Sequence, residues 1–227
     1  SLPAARLSAI LNQIVYPVLA RVQREGEAVG PYLLRGVRII SLISIPIMWG
    51  MSSISNEIVD IFLGEKWQDS KLPFTILCLI MPFRVQSPLM HAGLHAVGRA
   101  FESFRITCIT AALMTLSFVV GVQFGLLGIS VAWGIAFPLV FFVFFYKSCK
   151  KMGFPGKHLV VSLSRPVLSG ALMFFVVFII RPFLPQSFGP AINMILLIAI
   201  GACAYILSTF SINRQGVEEL RSVVLKK

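Results

Sequence analysis

Charge is what this sequence has least of, and negative charge is the scarcer sign. Its 227 residues include nine Asp and Glu, and charged residues of both signs make up 13% of the chain. A water-soluble domain carries about 25%. With half that supply, 57% hydrophobic residues and a mean hydropathy of +0.86, the chain cannot clothe a surface that faces water. From Ile106 to Tyr146 there is no charged residue at all. Cysteine supplies no framework either. Cys78, Cys108, Cys149 and Cys203 include no Cys-x-x-Cys pair and three fall inside apolar runs, which predicts free, buried thiols. No Ser/His/Asp arrangement, phosphate loop or carboxylate pair points to an enzyme, and nothing calls for a cofactor. There is no basic-then-apolar leader, and the chain opens Ser-Leu-Pro inside an apolar stretch. That opening predicts the C-terminal part of a longer protein.

What is present is a series of long apolar runs. About 20 apolar residues cross the hydrocarbon layer as a helix, and the expected spans are 2–22, 36–54, 72–97, 101–122, 126–146, 159–180 and 190–210. The charge-free stretch is too long for one crossing, and Gln123-Phe124-Gly125 supplies a turn inside it. The expected fold class is therefore all-α, a polytopic transmembrane bundle of about seven helices over residues 1–212. Residues 213–227 follow as a tail in which Val217 to Leu225 reads as a short surface helix. Ser55 to Ser70 interleaves Glu57, Asp60, Glu65 and Asp69 with apolar residues, the pattern of an amphipathic helix at a membrane interface.

The net charge of +11 would point to nucleic acid in a soluble protein. Here the basic residues crowd alternate gaps between the apolar runs, so no nucleic-acid partner is implied. Four gaps hold Arg21, Arg24, Arg35 and Arg38; Arg99 and Arg105; Lys147, Lys150, Lys151 and Lys157; and Arg214, Arg221, Lys226 and Lys227. The intervening gaps hold only Lys66, Lys71 and Arg181. Basic loops stay in the cytoplasm, which predicts a multi-pass protein with its C-terminus inside.

Three basic residues, Arg6, Arg84 and Arg165, fall inside expected spans instead, and Arg84 lies deepest. Arg84 lies in the middle of the third expected span, about 18 Å along it at 1.5 Å per residue. A charge at that depth costs about 2.5 kcal/mol or more on insertion scales and usually faces a bundle interior or a watery cavity. Ser87, His91 and His95 follow at helical spacing and extend a polar stripe, on a helix that also carries Pro82, Pro88, Gly93 and Gly98. His91 and His95 have the spacing of a helical metal pair, but neither the Glu of a metalloprotease motif nor a third ligand is apparent. Arg6, in the first apolar stretch, and Arg165, beside Pro166 in the sixth, are further candidates for a cavity wall; Arg165 also has the option of snorkelling to headgroups. No Asp or Glu lies deep in a span. An Arg-lined cavity without carboxylates favours an anionic cargo, and any proton or sodium coupling must use residues outside this chain.

Four strings carry a family resemblance. Gln13-Ile14-Val15-Tyr16-Pro17-Val18-Leu19-Ala20-Arg21-Val22-Gln23 resembles a helix end and loop midway through bacterial polysaccharide flippases. Glu57 to Trp67, ending Gly64-Glu65-Lys66-Trp67, resembles their outer-face segment. Ala96-Val97-Gly98-Arg99 and Gly125 to Trp133 are similar to two further stretches in order. The family is the oligosaccharide flippase branch of the multidrug/oligosaccharidyl-lipid/polysaccharide exporter superfamily. This resemblance implies one lobe of a two-lobed exporter in the bacterial inner membrane. Its implied partners are an undecaprenyl-pyrophosphate-linked glycan, membrane lipids and the missing N-terminal lobe. Arg84, Arg6, His91, His95, Ser87 and Arg165 then become candidates for lining the cavity. A peptidoglycan-precursor flippase and a multidrug extruder share the superfamily. A membrane polysaccharide polymerase would need a larger polar loop than this chain has.

Overall fold

The computed structural model describes residues 19, 21–184, 189–213, 216, 218 and 219. Six helices within them are long and apolar enough to cross a membrane. They are α1 (Val29–Ser53), α2 (Lys71–Ala96), α3 (Ala100–Val122), α4 (Gly125–Lys151), α5 (Gly156–Ile180) and α6 (Gly189–Ile212). The first expected span, with Arg6, lies outside the described residues, as does most of the tail. No strand occurs among the described residues, and the protein is an all-α polytopic bundle.

Short connections force successive helices antiparallel, and the contacts define the layout. Helices α1, α2, α4 and α5 close a ring in which each packs on the next, while α3 leans on α4 and α6 on α5. The ring is filled from all four helices: Leu33 and Val37, Leu89 and Met90, Phe137, Phe141 and Phe145, and Leu159 and Leu163. Phenylalanines one helical turn apart on α4 form the centre, with Phe141 1% exposed and 5.0 Å from the Phe145 ring. Outward faces are equally apolar. Leu116, Val119 and Phe175 are each 60% exposed or more, as lipid-facing side chains are.

Hydropathy therefore does not separate core from periphery, and the cysteines show it. All four are free, but Cys108 and Cys203 are exposed on their helices while Cys78 and Cys149 are buried. The expectation of uniformly buried thiols holds for two of them.

Polar contacts inside the bundle tie helix to helix. Pro46 has no N–H, so the carbonyl of Leu42, four residues earlier, lacks its helical partner; the Tyr205 hydroxyl of α6 donates to it at 2.9 Å. Trp49 Nε1 donates to the Leu79 carbonyl at 3.0 Å and Ser52 Oγ to that of Thr75 at 3.0 Å, fixing α1 against α2.

The two ends of the bundle carry different charge. At the basic end, Arg38 holds Glu219 in a bidentate pair, its Nε donating at 2.9 Å and its Nη2 to the other oxygen, and Lys151 meets Glu102 at 2.5 Å. At the opposite end Arg181 pairs with Glu57 and Lys71 with Asp60, both at 2.7 Å. The segment holding Glu57 and Asp60 departs from the single amphipathic helix expected there. It is one α-turn (Ser55–Ile58), a π-helical turn (Val59–Leu63) and a 3-10 helix (Glu65–Ser70). Gly64, at φ 79°, makes the break, a backbone region costly for residues with a Cβ. The interfacial character survives: Phe62 is 71% and Trp67 53% exposed.

Lys71, and then Gln68, hydrogen-bond the Asp60 carboxylate and hold its pKa below the usual value. A depressed folded-state pKa stabilises the fold above the unfolded value near 4, and that stabilisation is lost as pH falls through the folded pKa. Asp60 is 40% exposed, so its share is that of a surface pair, under about 1 kcal/mol. Asp60→Asn should lower the melting temperature slightly at pH 7, and the gap to the parent should close below pH 3 to 4, a range set by the ordinary carboxylate value. A gap that persists unchanged in acid would contradict this pairing.

Candidate functional site

Arg84 stands 13 residues beyond Lys71 in α2, about 20 Å from that end of the helix and slightly less from the other. Its side chain is exposed, near the middle of a helix long and apolar enough to cross a membrane. The guanidinium lies over the Trp133 ring of α4, 5.1 Å from the centroid. Such a contact is worth about 0.5–2 kcal/mol, and it uses none of the five N–H donors of the guanidinium. No carboxylate pairs with Arg84 among the described residues. The structure thus holds a seated cation with donors to offer, at mid-helix on α2 and against Trp133 of α4.

The rest of the stripe divides. Ser87 is half-buried on the next turn toward the basic end. His91 and His95 meet on a side chain of α3: His91 Nδ1 lies 2.8 Å and His95 Nε2 3.0 Å from Ser103 Oγ. One hydroxyl proton serves one acceptor, so one ring nitrogen accepts the Ser103 proton and the other donates to the hydroxyl oxygen. His91 also sets its ring edge-on to Phe145, centroids 5.3 Å apart. The pair's described role is to fasten the α2–α3 corner, two turns or more from Arg84. No group of three His, Cys, Asp or Glu is placed to hold a metal among the described residues.

Arg165 lies half-buried on α5, a helix that packs mainly on α1 and α6, and no described contact brings it to Arg84. Arg6 lies outside the described residues. Of six candidates, one forms an isolated cationic site, Ser87 adjoins it, and the histidines brace the helix that carries it.

Two residues were not singled out from sequence. Trp133 figured only in a resembling string; its pairing with Arg84 is long-range and leaves no periodic signal. Gln86 is fully buried behind Arg84, donating to Ser41 Oγ at 3.0 Å and to the Pro82 carbonyl at 3.2 Å. A lone amide in an apolar run was its available signal.

Residues 1–72 match a family described as polysaccharide biosynthesis protein. The chain is 26% identical over 133 residues to the teichuronic acid biosynthesis protein TuaB of Bacillus subtilis (strain 168), covering 59% of this chain and 27% of that protein. It is 24% identical over 132 residues to the lipopolysaccharide biosynthesis protein WzxC of Escherichia coli (strain K12), covering 58% and 27%. An uncharacterized membrane protein in the cps region of Klebsiella pneumoniae is 25% identical over 83 residues. The matched part is about a quarter of the length of the first two relatives. No solved structure matches the chain. The resemblance to membrane proteins of polysaccharide biosynthesis stands on these matches together with the six apolar helices.

Proposed function

We propose that this chain is the C-terminal lobe of a flippase that moves lipid-linked, anionic oligosaccharide across the bacterial plasma membrane for surface polysaccharide synthesis. Arg84 carries the proposal. A guanidinium kept at mid-depth, seated on Trp133 and paired with no described carboxylate, is a standing cost to membrane insertion. An anionic group passing that depth recovers it. Guanidinium stays charged when desolvated and presents a fork of donors to phosphate oxygens, so the pyrophosphate of an undecaprenyl-linked glycan is the group it would hold. The lipid tail would remain in the bilayer while the head crosses. In this reading the second wall of the cavity is the N-terminal lobe, basic loops and C-terminus are cytoplasmic, and the protein transports without chemical change and without a cofactor.

The test is glycan export in a flippase-deficient bacterium that receives the full-length parent gene. Restored surface polysaccharide supports the proposal. Unrestored glycan across several glycan types, with raised resistance to cationic drugs instead, would replace it with the extruder reading. Restored growth of a strain lacking its peptidoglycan-precursor flippase, without surface polysaccharide, would assign the cargo to that related lipid pyrophosphate.

A further inference from the structure

A second cationic site lies away from Arg84, at the basic end of the α3–α4 hairpin. A cavity of about 190 Å³ is lined there by Glu102, Arg105 and Ile106 of α3 and by Phe144, Lys147, Ser148 and Lys151 of α4. Three cations from two helices converge on it. Helical spacing sets this up: Glu102 and Arg105 are three apart, Lys147 and Lys151 four apart, so each pair shares a face. Lys151 is held by Glu102 at 2.5 Å, which closes one side. Arg105 and Lys147 form no ion pair among the described residues. Ser148 Oγ donates its proton to the Phe144 carbonyl at 2.8 Å, so donors for an incoming group come from the cations alone.

From this we infer that the cleft binds the phosphate of an anionic membrane phospholipid. Its volume falls below the roughly 300 Å³ at which pockets enclose whole small ligands, so it takes a headgroup phosphate and no oligosaccharide. Its surroundings place it at a bilayer surface. Phe101 and Phe104 on α3 are 75% and 65% exposed and Tyr146 on α4 is 50% exposed, beside the cations, as interfacial aromatics are. Further along α3, Leu113 and Leu116 are also exposed and offer an apolar track for the acyl chains. Basic residues scattered along cytoplasmic loops attract anionic lipid without selecting a position; cations facing one concavity from two helices select one. The site is independent of the transported cargo, and binding would pin the hairpin's basic end at the headgroup layer.

The experiment is native mass spectrometry of the full-length protein released from detergent micelles containing equal phosphatidylglycerol and phosphatidylcholine. The parent should retain phosphatidylglycerol about tenfold in excess, the equivalent of one good charge-assisted contact. Arg105→Gln with Lys147→Gln should bring the two lipids near parity. Arg24→Gln with Lys157→Gln, which removes the same charge from the same end, should leave the preference intact. Glu102→Gln removes the competing carboxylate and should raise retention, a readout that an unfolded variant cannot imitate. Equal loss from both double variants, or lower retention by Glu102→Gln, would overturn the site. Displacement of phosphatidylglycerol by millimolar inorganic phosphate alone would overturn the lipid as its occupant and leave a soluble phosphate in its place.

Discussion

Arg84→Ala in the full-length protein should lower surface glycan by tenfold or more while membrane levels of the protein stay at or above those of the parent. The two halves of that expectation have separate causes. A guanidinium–phosphate contact is a charge-assisted hydrogen bond worth about 1.5–3 kcal/mol, which is tenfold or more in an equilibrium constant. Removing the charge also removes an insertion penalty of about 2.5 kcal/mol, and among the described residues no carboxylate is left stranded. Loss of export therefore cannot be charged to loss of fold. Arg84→Lys keeps the charge and loses the fork, so partial export is its expected phenotype. Trp133→Ala should also reduce export, because it removes the ring that seats the guanidinium. Export at parent levels by Arg84→Ala would end the proposed role.

Gly128→Ala should have the largest effect on the fold. The α3–α4 hairpin closes on two glycines, and a Cβ on Gly128 would stand 2.2 Å from the Gly121 carbonyl oxygen and 2.5 Å from Phe124 Cβ. The first obstacle is backbone and cannot rotate away, so the helices must separate. Small residues at such crossings are what let membrane helices approach closely. Overpacking of this kind costs typically 1–3 kcal/mol, and a backbone clash belongs at or above the top of that range. Thermal unfolding in detergent should show a large fall in melting temperature together with poor recovery of monodisperse protein. Gly50→Ala is the control. It is also a helical glycine, its Cβ would meet nothing closer than Met173 Cε at 4.0 Å, and Ala is the better helix former, so it should match or exceed the parent. Equal stability of the two variants would contradict the close hairpin.

Membrane helices were legible because their signal is a length of apolar sequence, and the basic gaps marked which ends lie together. Helix ends were less legible, because hydropathy reports the bilayer and backbone hydrogen bonding does not stop at its edge. Thus α1 begins at Val29 and includes Arg35 and Arg38, and α4 continues through Lys147 to Lys151. Gly64 was visible as a letter, but the π-helical turn before it, which begins at buried Val59, has no signal in the periodicity. At the site, spacing put Arg84, Ser87, His91 and His95 on one face of α2 and could go no further. Whether a face is lined by Trp133, as Arg84's is, or tied by Ser103, as that of the histidines is, depends on which helix lies opposite. Nothing local in the chain encodes that.

Whether the Arg84 face meets water or lipid decides the transport proposal most directly. In the full-length protein, with Cys78, Cys108, Cys149 and Cys203 replaced by serine or alanine, a single cysteine is placed at Arg84 or Ser87, and another at Val119 on the exposed flank of α3. A membrane-impermeant thiol reagent is then applied to inverted and right-side-out vesicles. Labelling of Arg84→Cys and Ser87→Cys, slowed by lipid-linked glycan, with Val119→Cys unreactive, is the expected result. Arg84→Cys as unreactive as Val119→Cys from both sides would place the residue in lipid and contradict the cationic cavity.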